Sequence, residues 1–196
     1  MTTRRPRLST LVLLPGWHDS GAEHWQSRWP VIHSDHARWM RVEQDDWQWP
    51  KRGDWMMQLD EALLADASLL DEPAVLVAHS LGCHLVAAWA AHSQHTARVK
   101  GAWLVAPPDL DNPDKLDSLP PQLHGWTRVP RQRLPFAAQV LASSDDPHSR
   151  VERAEHLAQD WGASFANLGP LGHVNAESGQ GDWPDGWARL QGWLQT

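Results

Sequence analysis

Val75-Leu76-Val77-Ala78-His79-Ser80-Leu81-Gly82-Cys83 reads as a strand, a sharp turn with Ser80 at its tip, and the start of a helix. Residues 74–78 form a continuous apolar run of strand length, as expected for a strand covered on both faces. Residues 81–91 continue as a helix. This is the nucleophile-elbow arrangement usually written G-x-S-x-G, with Ala78 and Gly82 at the two small positions. A serine on such a turn projects its hydroxyl away from the sheet, and the close approach of helix and strand tolerates only small neighbours at 78 and 82. The turn also aims the backbone N–H of Leu81, at the positive end of the helix, toward a developing oxyanion. The competing reading is a plain helix N-cap at Ser80. The strand before it and the helix after it favour the nucleophile.

Outward from this point, short apolar runs alternate with helical patterns. Strands are expected at residues 8–14, 99–106, 136–142 and 164–168, with an extended segment at 38–43. Helices are expected at 23–29, 53–70, 151–161 and 183–194; Met56, Leu59, Leu63 and Leu70 fall near one face of the second of these. Such alternation implies an α/β fold, a three-layer α/β/α sandwich with a mostly parallel central sheet. Right-handed crossovers place every strand's C-terminal end on one edge, where ligands bind in open sheets. Residues 107–135 break the pattern. They hold seven of the fifteen prolines, and their place after a strand's C-terminal end would hang them over the binding edge, as a lid or a rigid loop, within one domain spanning 1–196.

Composition narrows the function classes. The chain has 196 residues, 41% hydrophobic and 21% charged, which excludes disorder and coiled coil. A formal net charge of −7 argues against a nucleic-acid partner. The one cysteine, Cys83, cannot form an internal disulfide, as a reducing compartment would give. Arg4, Arg5 and Arg7 precede an apolar run too short for a signal peptide, and no stretch approaches a membrane span. The expected location is the cytoplasm. Fourteen Trp stand beside two Phe and no Tyr, so indoles must fill most aromatic core sites.

A nucleophilic serine needs a base and an orienting acid, in the order Ser, Asp or Glu, then His in this architecture. Ser143-Ser144-Asp145-Asp146-Pro147 follows a strand; Asp146 is the first choice for the acid and Asp145 the alternative, against an Asx turn or helix cap. Leu168-Gly169-Pro170-Leu171-Gly172-His173 then offers a Gly-flanked histidine able to swing between Ser80 and Asp146. After the first strand, Leu14-Pro15-Gly16-Trp17 supplies a tight turn whose Trp17 N–H is the candidate second oxyanion donor, unless it is an ordinary Pro-Gly turn. Cys83 reads as a small buried hydrophobe, and His79 and His84 as structural. His33 with His36, and His92 with His95, have helical spacing but no further metal-ligand pattern, so neither metal nor cofactor is expected. Most of the indoles crowding the N-terminal third read as packing, with Trp17 a candidate wall for an acyl pocket.

Together these loops resemble the small single-domain serine hydrolases of the α/β-hydrolase fold, the family that includes retinoblastoma-binding protein 9 and the bacterial YdeN-type proteins. The resemblance spans essentially the whole chain. Leu14-Pro15-Gly16-Trp17, His24-Trp25-Gln26-Ser27-Arg28-Trp29, His79-Ser80-Leu81-Gly82, Ser144-Asp145-Asp146-Pro147 and Gly172-His173-Val174-Asn175-Ala176-Glu177-Ser178-Gly179 carry it. It implies Ser80 as nucleophile, Asp146 as acid and His173 as base, acting on small carboxylic esters or related acyl bonds without a cofactor. The rival from another class is a binding protein that keeps the fold without turnover, and a metal-dependent hydrolase stands third.

Overall fold

The computed structural model describes residues 8–196; Arg4, Arg5 and Arg7 lie outside the described residues. The elements run β1 (Thr10–Leu14), α1 (Trp25–Ile32), β2 (Arg38–Arg41), α2 (Arg52–Ala65), β3 (Ala74–His79), α3 (Leu81–His92), β4 (Val99–Val105), β5 (Ala137–Ala142), α4 (Val151–Trp161), β6 (Ser164–Asn167) and α5 (Pro184–Trp193). The six strands are all parallel, in the order β2-β1-β3-β4-β5-β6. The order reverses between β1 and β3, the kind of switch point beside which open α/β sheets bind ligands.

Two-residue alternation sorts the central strands onto two cores. Val12, Leu14, Leu76, Ala78, Ala102, Leu104 and Val140 pack with side chains of α2, α3 and α4. Leu11, Leu13, Val75, Val77, Trp103 and Val105 pack on the opposite face with Trp25, Trp29, Trp183 and Leu190. Both faces of β3 are therefore dry, which is why its sequence is an unbroken apolar run. Trp25, Trp29, Trp103 and Trp183 interlock there with ring centroids 4.6 to 6.3 Å apart, filling the space that Phe and Tyr would otherwise occupy.

Three local expectations need correction. α1 continues past Trp29 to Ile32 with Pro30 inside it; the proline, sixth of eight residues, removes one backbone donor, and the helix ends two residues later with the His33 N–H bonded to the Trp29 carbonyl. α2 stops at Ala65, not Leu70, because the Asp66 side chain accepts from the Ser68 N–H and starts a separate 3₁₀ turn, Ala67–Leu70. Leu70 is consequently 66% exposed, while Trp55, Leu59 and Leu63 form the buried face of α2. The Pro-rich excursion begins beside the strand ends but then runs across the outer helical layer. Leu110, Leu123 and Trp126 are buried there, with the Trp126 indole donating to the Pro50 carbonyl at 2.8 Å. Arg153 on α4 grips Asp109 and Asp111, and Trp161 donates to the Pro130 carbonyl. Among the described residues, no helix is long and apolar enough to cross a membrane.

Candidate active site

β3 ends at His79, Ser80 turns with φ 54° and ψ −124°, and α3 begins at Leu81. A non-glycine residue held at this positive φ costs about 1–3 kcal/mol, which the packing around it must offset. The Ser80 N–H donates to the Val105 carbonyl at 2.9 Å, tying the turn to β4. A Cβ on Gly82 would sit 2.3 Å from the Leu14 carbonyl oxygen, so α3 can cross the end of β1 only with hydrogen there. A Cβ on Gly16 would lie 2.7 Å from the Ser80 Cβ and 3.2 Å from its Oγ. The loop after β1 is thus pressed directly against the serine. The Ser80 side chain makes no cap bond to its own helix.

Its hydroxyl instead meets His173. Ser80 Oγ lies 2.9 Å from His173 Nε2, and His173 Nδ1 lies 3.0 and 2.9 Å from the two oxygens of Asp146. A carboxylate can only accept, so Nδ1 carries the proton and the Nε2 lone pair faces the Ser80 hydroxyl, which donates to it. The Asp146 side chain is 3% exposed and that of His173 11%. In so dry a place an unscreened carboxylate interacts strongly with its neighbour.

Asp145 and Asp146 are adjacent, yet their carboxylates do different things. Asp145 Oδ1 accepts from the Ser143 hydroxyl at 2.7 Å and from the Gly172 N–H at 2.8 Å. These two bonds, the serine's first, hold its carboxyl below the usual range. Buried Ser143 also accepts from the Leu171 N–H at 2.8 Å. Asp145 therefore ties down the backbone just ahead of His173, and Asp146 faces its ring.

Leu81 follows Ser80 directly, and Trp17 follows Gly16 in the loop pressed against it; among the described residues neither backbone N–H donates to a backbone carbonyl in a turn, loop or cap. Gln26, fully buried on α1, braces this crevice. Its amide donates to the Leu14 and Val77 carbonyls at the ends of β1 and β3, and its oxygen accepts from Ser20 Oγ. The Trp17 indole stacks on His18 at 4.1 Å and donates to the Gln48 carbonyl, forming a half-buried wall.

Histidines other than His173 crowd the same place. His24, His79 and His148 stand with ring centroids 4.7 Å (His24 to His79), 4.9 Å (His79 to His173) and 4.5 Å (His148 to His173) apart. Burial, then His173, pushes His24 down to about 3; burial, then His24, takes His79 well below the ordinary imidazole value. His148 is lowered by burial and by His173. Each of these neighbours is therefore harder to protonate than an ordinary imidazole. Behind the elbow, burial raises the Cys83 thiol far above its ordinary value, and His84 is pushed down to about 4 by burial while bonded to the Pro108 carbonyl. His33 stacks on Trp187, and His95 pairs with Asp60. Among the described residues, no three His, Cys, Asp or Glu side chains gather as metal ligands.

A family model described as serine hydrolase matches residues 11–192. Among solved structures, the chain is similar to a YdeN-like hydrolase of Pectobacterium atrosepticum, with 28% identity, a TM-score of 0.76, and coverage of 93% of this chain and 89% of the other. The YdeN product of Bacillus subtilis is 19% identical with a TM-score of 0.75, covering 96% of this chain and all (100%) of the other. An esterase of Rhodococcus shares the fold at 15% identity and a TM-score of 0.69, with 96% and 90% covered. No curated protein matches the sequence.

Proposed function

We propose that this chain, which belongs to the serine hydrolase family, cleaves small carboxylic esters or related acyl bonds through an acyl-enzyme formed on Ser80. The observation that carries this reading is the unbroken line of contacts from Ser80 Oγ through His173 to the Asp146 carboxylate. Several solved structures that share the fold are described as esterases, and they support the choice of acyl chemistry.

The steps follow from the atoms. His173 Nε2 accepts the hydroxyl proton as Ser80 Oγ attacks the substrate carbonyl carbon. The carbonyl oxygen gains negative charge, and the Trp17 and Leu81 N–H groups are the donors for it. One such donor is worth roughly 3 kcal/mol in a transition state. Asp146 holds the ring in the tautomer that leaves Nε2 free and stabilises the imidazolium once it forms. The imidazolium then protonates the leaving oxygen or nitrogen, whose bond to carbon breaks. A water repeats the sequence on the acyl-enzyme, releasing the acid and restoring Ser80.

Fluorophosphonate labelling of the native chain and of Ser80→Ala tests this assignment, together with hydrolysis of short-chain nitrophenyl esters. Labelling and turnover should both depend on Ser80. A label retained in Ser80→Ala, or ester turnover at the native rate without that hydroxyl, overturns it.

A further inference from the structure

We propose that His79 is a positioning residue that sets the distance between Ser80 and His173. It rests on the reading of Ser80 and His173 as nucleophile and base. His79 is the last residue of β3, directly before the serine. Its Nε2 lies 2.8 Å from the backbone carbonyl oxygen of His173. A carbonyl only accepts, so His79 Nε2–H is the donor. The contacts therefore close on themselves: Ser80 is bonded to His79, His79 holds the His173 backbone, and the His173 ring returns to Ser80 Oγ at 2.9 Å. The elbow carries its own gauge for the base.

The need for a gauge lies in the His173 loop. Gly172 and Val174 have φ of 58° and 50°, and β6 ended at Asn167, so no sheet hydrogen bonding fixes this stretch. Side chains hold it instead. Ser143 and Asp145 take the N–H groups of Leu171 and Gly172. On the other side, two N–H donors take consecutive carbonyls: His79 that of His173, and the Trp25 indole that of Val174 at 2.9 Å. Only His79 among these comes from the element that bears the nucleophile.

His79 is itself held still. It is 5% exposed, with the His24 ring edge-on at 4.7 Å and the Trp25 ring perpendicular at 5.9 Å. His24 Nδ1 accepts the Gln26 N–H as the N-cap of α1, so the start of that helix is clamped against the His79 ring. A buried ring with two aromatic neighbours and one fixed donor is the pre-organised support that keeps reacting groups in place.

The test compares His79→Phe, which keeps a ring and removes the donor, with His79→Gln, whose amide N–H reaches to about the place of Nε2. Each is assayed on a nitrophenyl ester beside Ser80→Ala, with the folded fraction of each variant counted by urea titration. Per folded molecule, His79→Phe should lower kcat by about 10- to 100-fold with KM within about twofold, because misplacement of the base by a fraction of an ångström to 1 Å has that cost. His79→Gln should recover at least a third of the lost factor on a logarithmic scale. Native kcat per folded His79→Phe molecule, or a Gln variant no better than Phe, overturns the proposal. If Ser80→Ala remains active, it is the nucleophile reading that has failed.

Discussion

Acidification from about pH 7.5 to about pH 5 should cost the fold about 4 kcal/mol through two imidazoles, His24 and His84. Both are buried and pushed from 6.5 down to about 3 and about 4, chiefly by loss of solvent. Between 6.5 and those values the unfolded chain takes up protons that the folded chain refuses. Stability from these groups is therefore complete above about pH 6.5 and falls as pH descends toward the folded values. Each proton costs about 1.4 kcal/mol per pH unit, so 1.5 units amount to roughly 2 kcal/mol per ring. The lowered His79, His33 and His148 add loss of the same sign. Carboxylates do not confuse this window: Asp66 and Asp145, held below the usual range first by the Ser68 and Ser143 hydroxyls, lose their contribution only at lower pH. Set against a typical total of 5–15 kcal/mol, the loss is large. Urea unfolding followed by indole fluorescence at the two pH values measures it. His24→Asn keeps a good N-cap and removes the titrating ring, so it should shrink the acid loss by about 2 kcal/mol. A native chain with equal stability at both pH values, or an Asn variant with an undiminished acid loss, would refute the reasoning.

Asp146→Asn should lower kcat on a nitrophenyl ester by roughly 10⁴-fold, because the amide favours the wrong imidazole tautomer. Asp145→Asn, which keeps an oxygen for the Gly172 N–H, should cost less than about tenfold; equal losses at the two positions would contradict the division of labour between them. Gly16→Ala places a methyl 2.7 Å from the Ser80 Cβ and must displace the loop that carries the Trp17 N–H. Fluorophosphonate labelling should slow by about 10²-fold in that variant, and native-rate labelling would count against a role for this loop. Cys83 is fully buried with its thiol pKa raised, so a thiol reagent should leave the native chain untouched and react once urea is added. Prompt reaction without urea would contradict that burial.

The central strands were the most legible part of this chain. β3 is buried along its whole length and β4 at every residue but Lys100, so their apolar runs have no competing reading as surface helix. Helix ends were less legible, since an Asp66 side chain that caps Ser68 breaks the helical pattern without interrupting its hydrophobic spacing. Near Ser80 the sequence named groups that come together, because Ser80, Asp146 and His173 each follow a recognisable strand. It left Asp145 and Asp146 unresolved, since adjacent carboxylates differ only in which way the turn throws them. It also missed the neighbourhood of His24 and His148. Twelve histidines have no spacing that marks which imidazoles will stack, and those contacts join segments far apart in the chain. The staple made by Gln26 was equally silent; a fully buried glutamine in the first turn of a Trp-bearing helix carries no local sign of the two strands it spans.

Hydrogen is the only side chain that fits at Gly16 and Gly82, so the junction of β1, β3 and α3 offers selection almost nothing to vary. Adaptation to new substrates, whether by evolution or by an engineer's library, must be drawn from the rim: the wall of Trp17, His18 and Gln48, the stretch after His173 and the start of the excursion. Random mutagenesis spread evenly over this chain would spend its losses at the two glycines and find its gains among those loops.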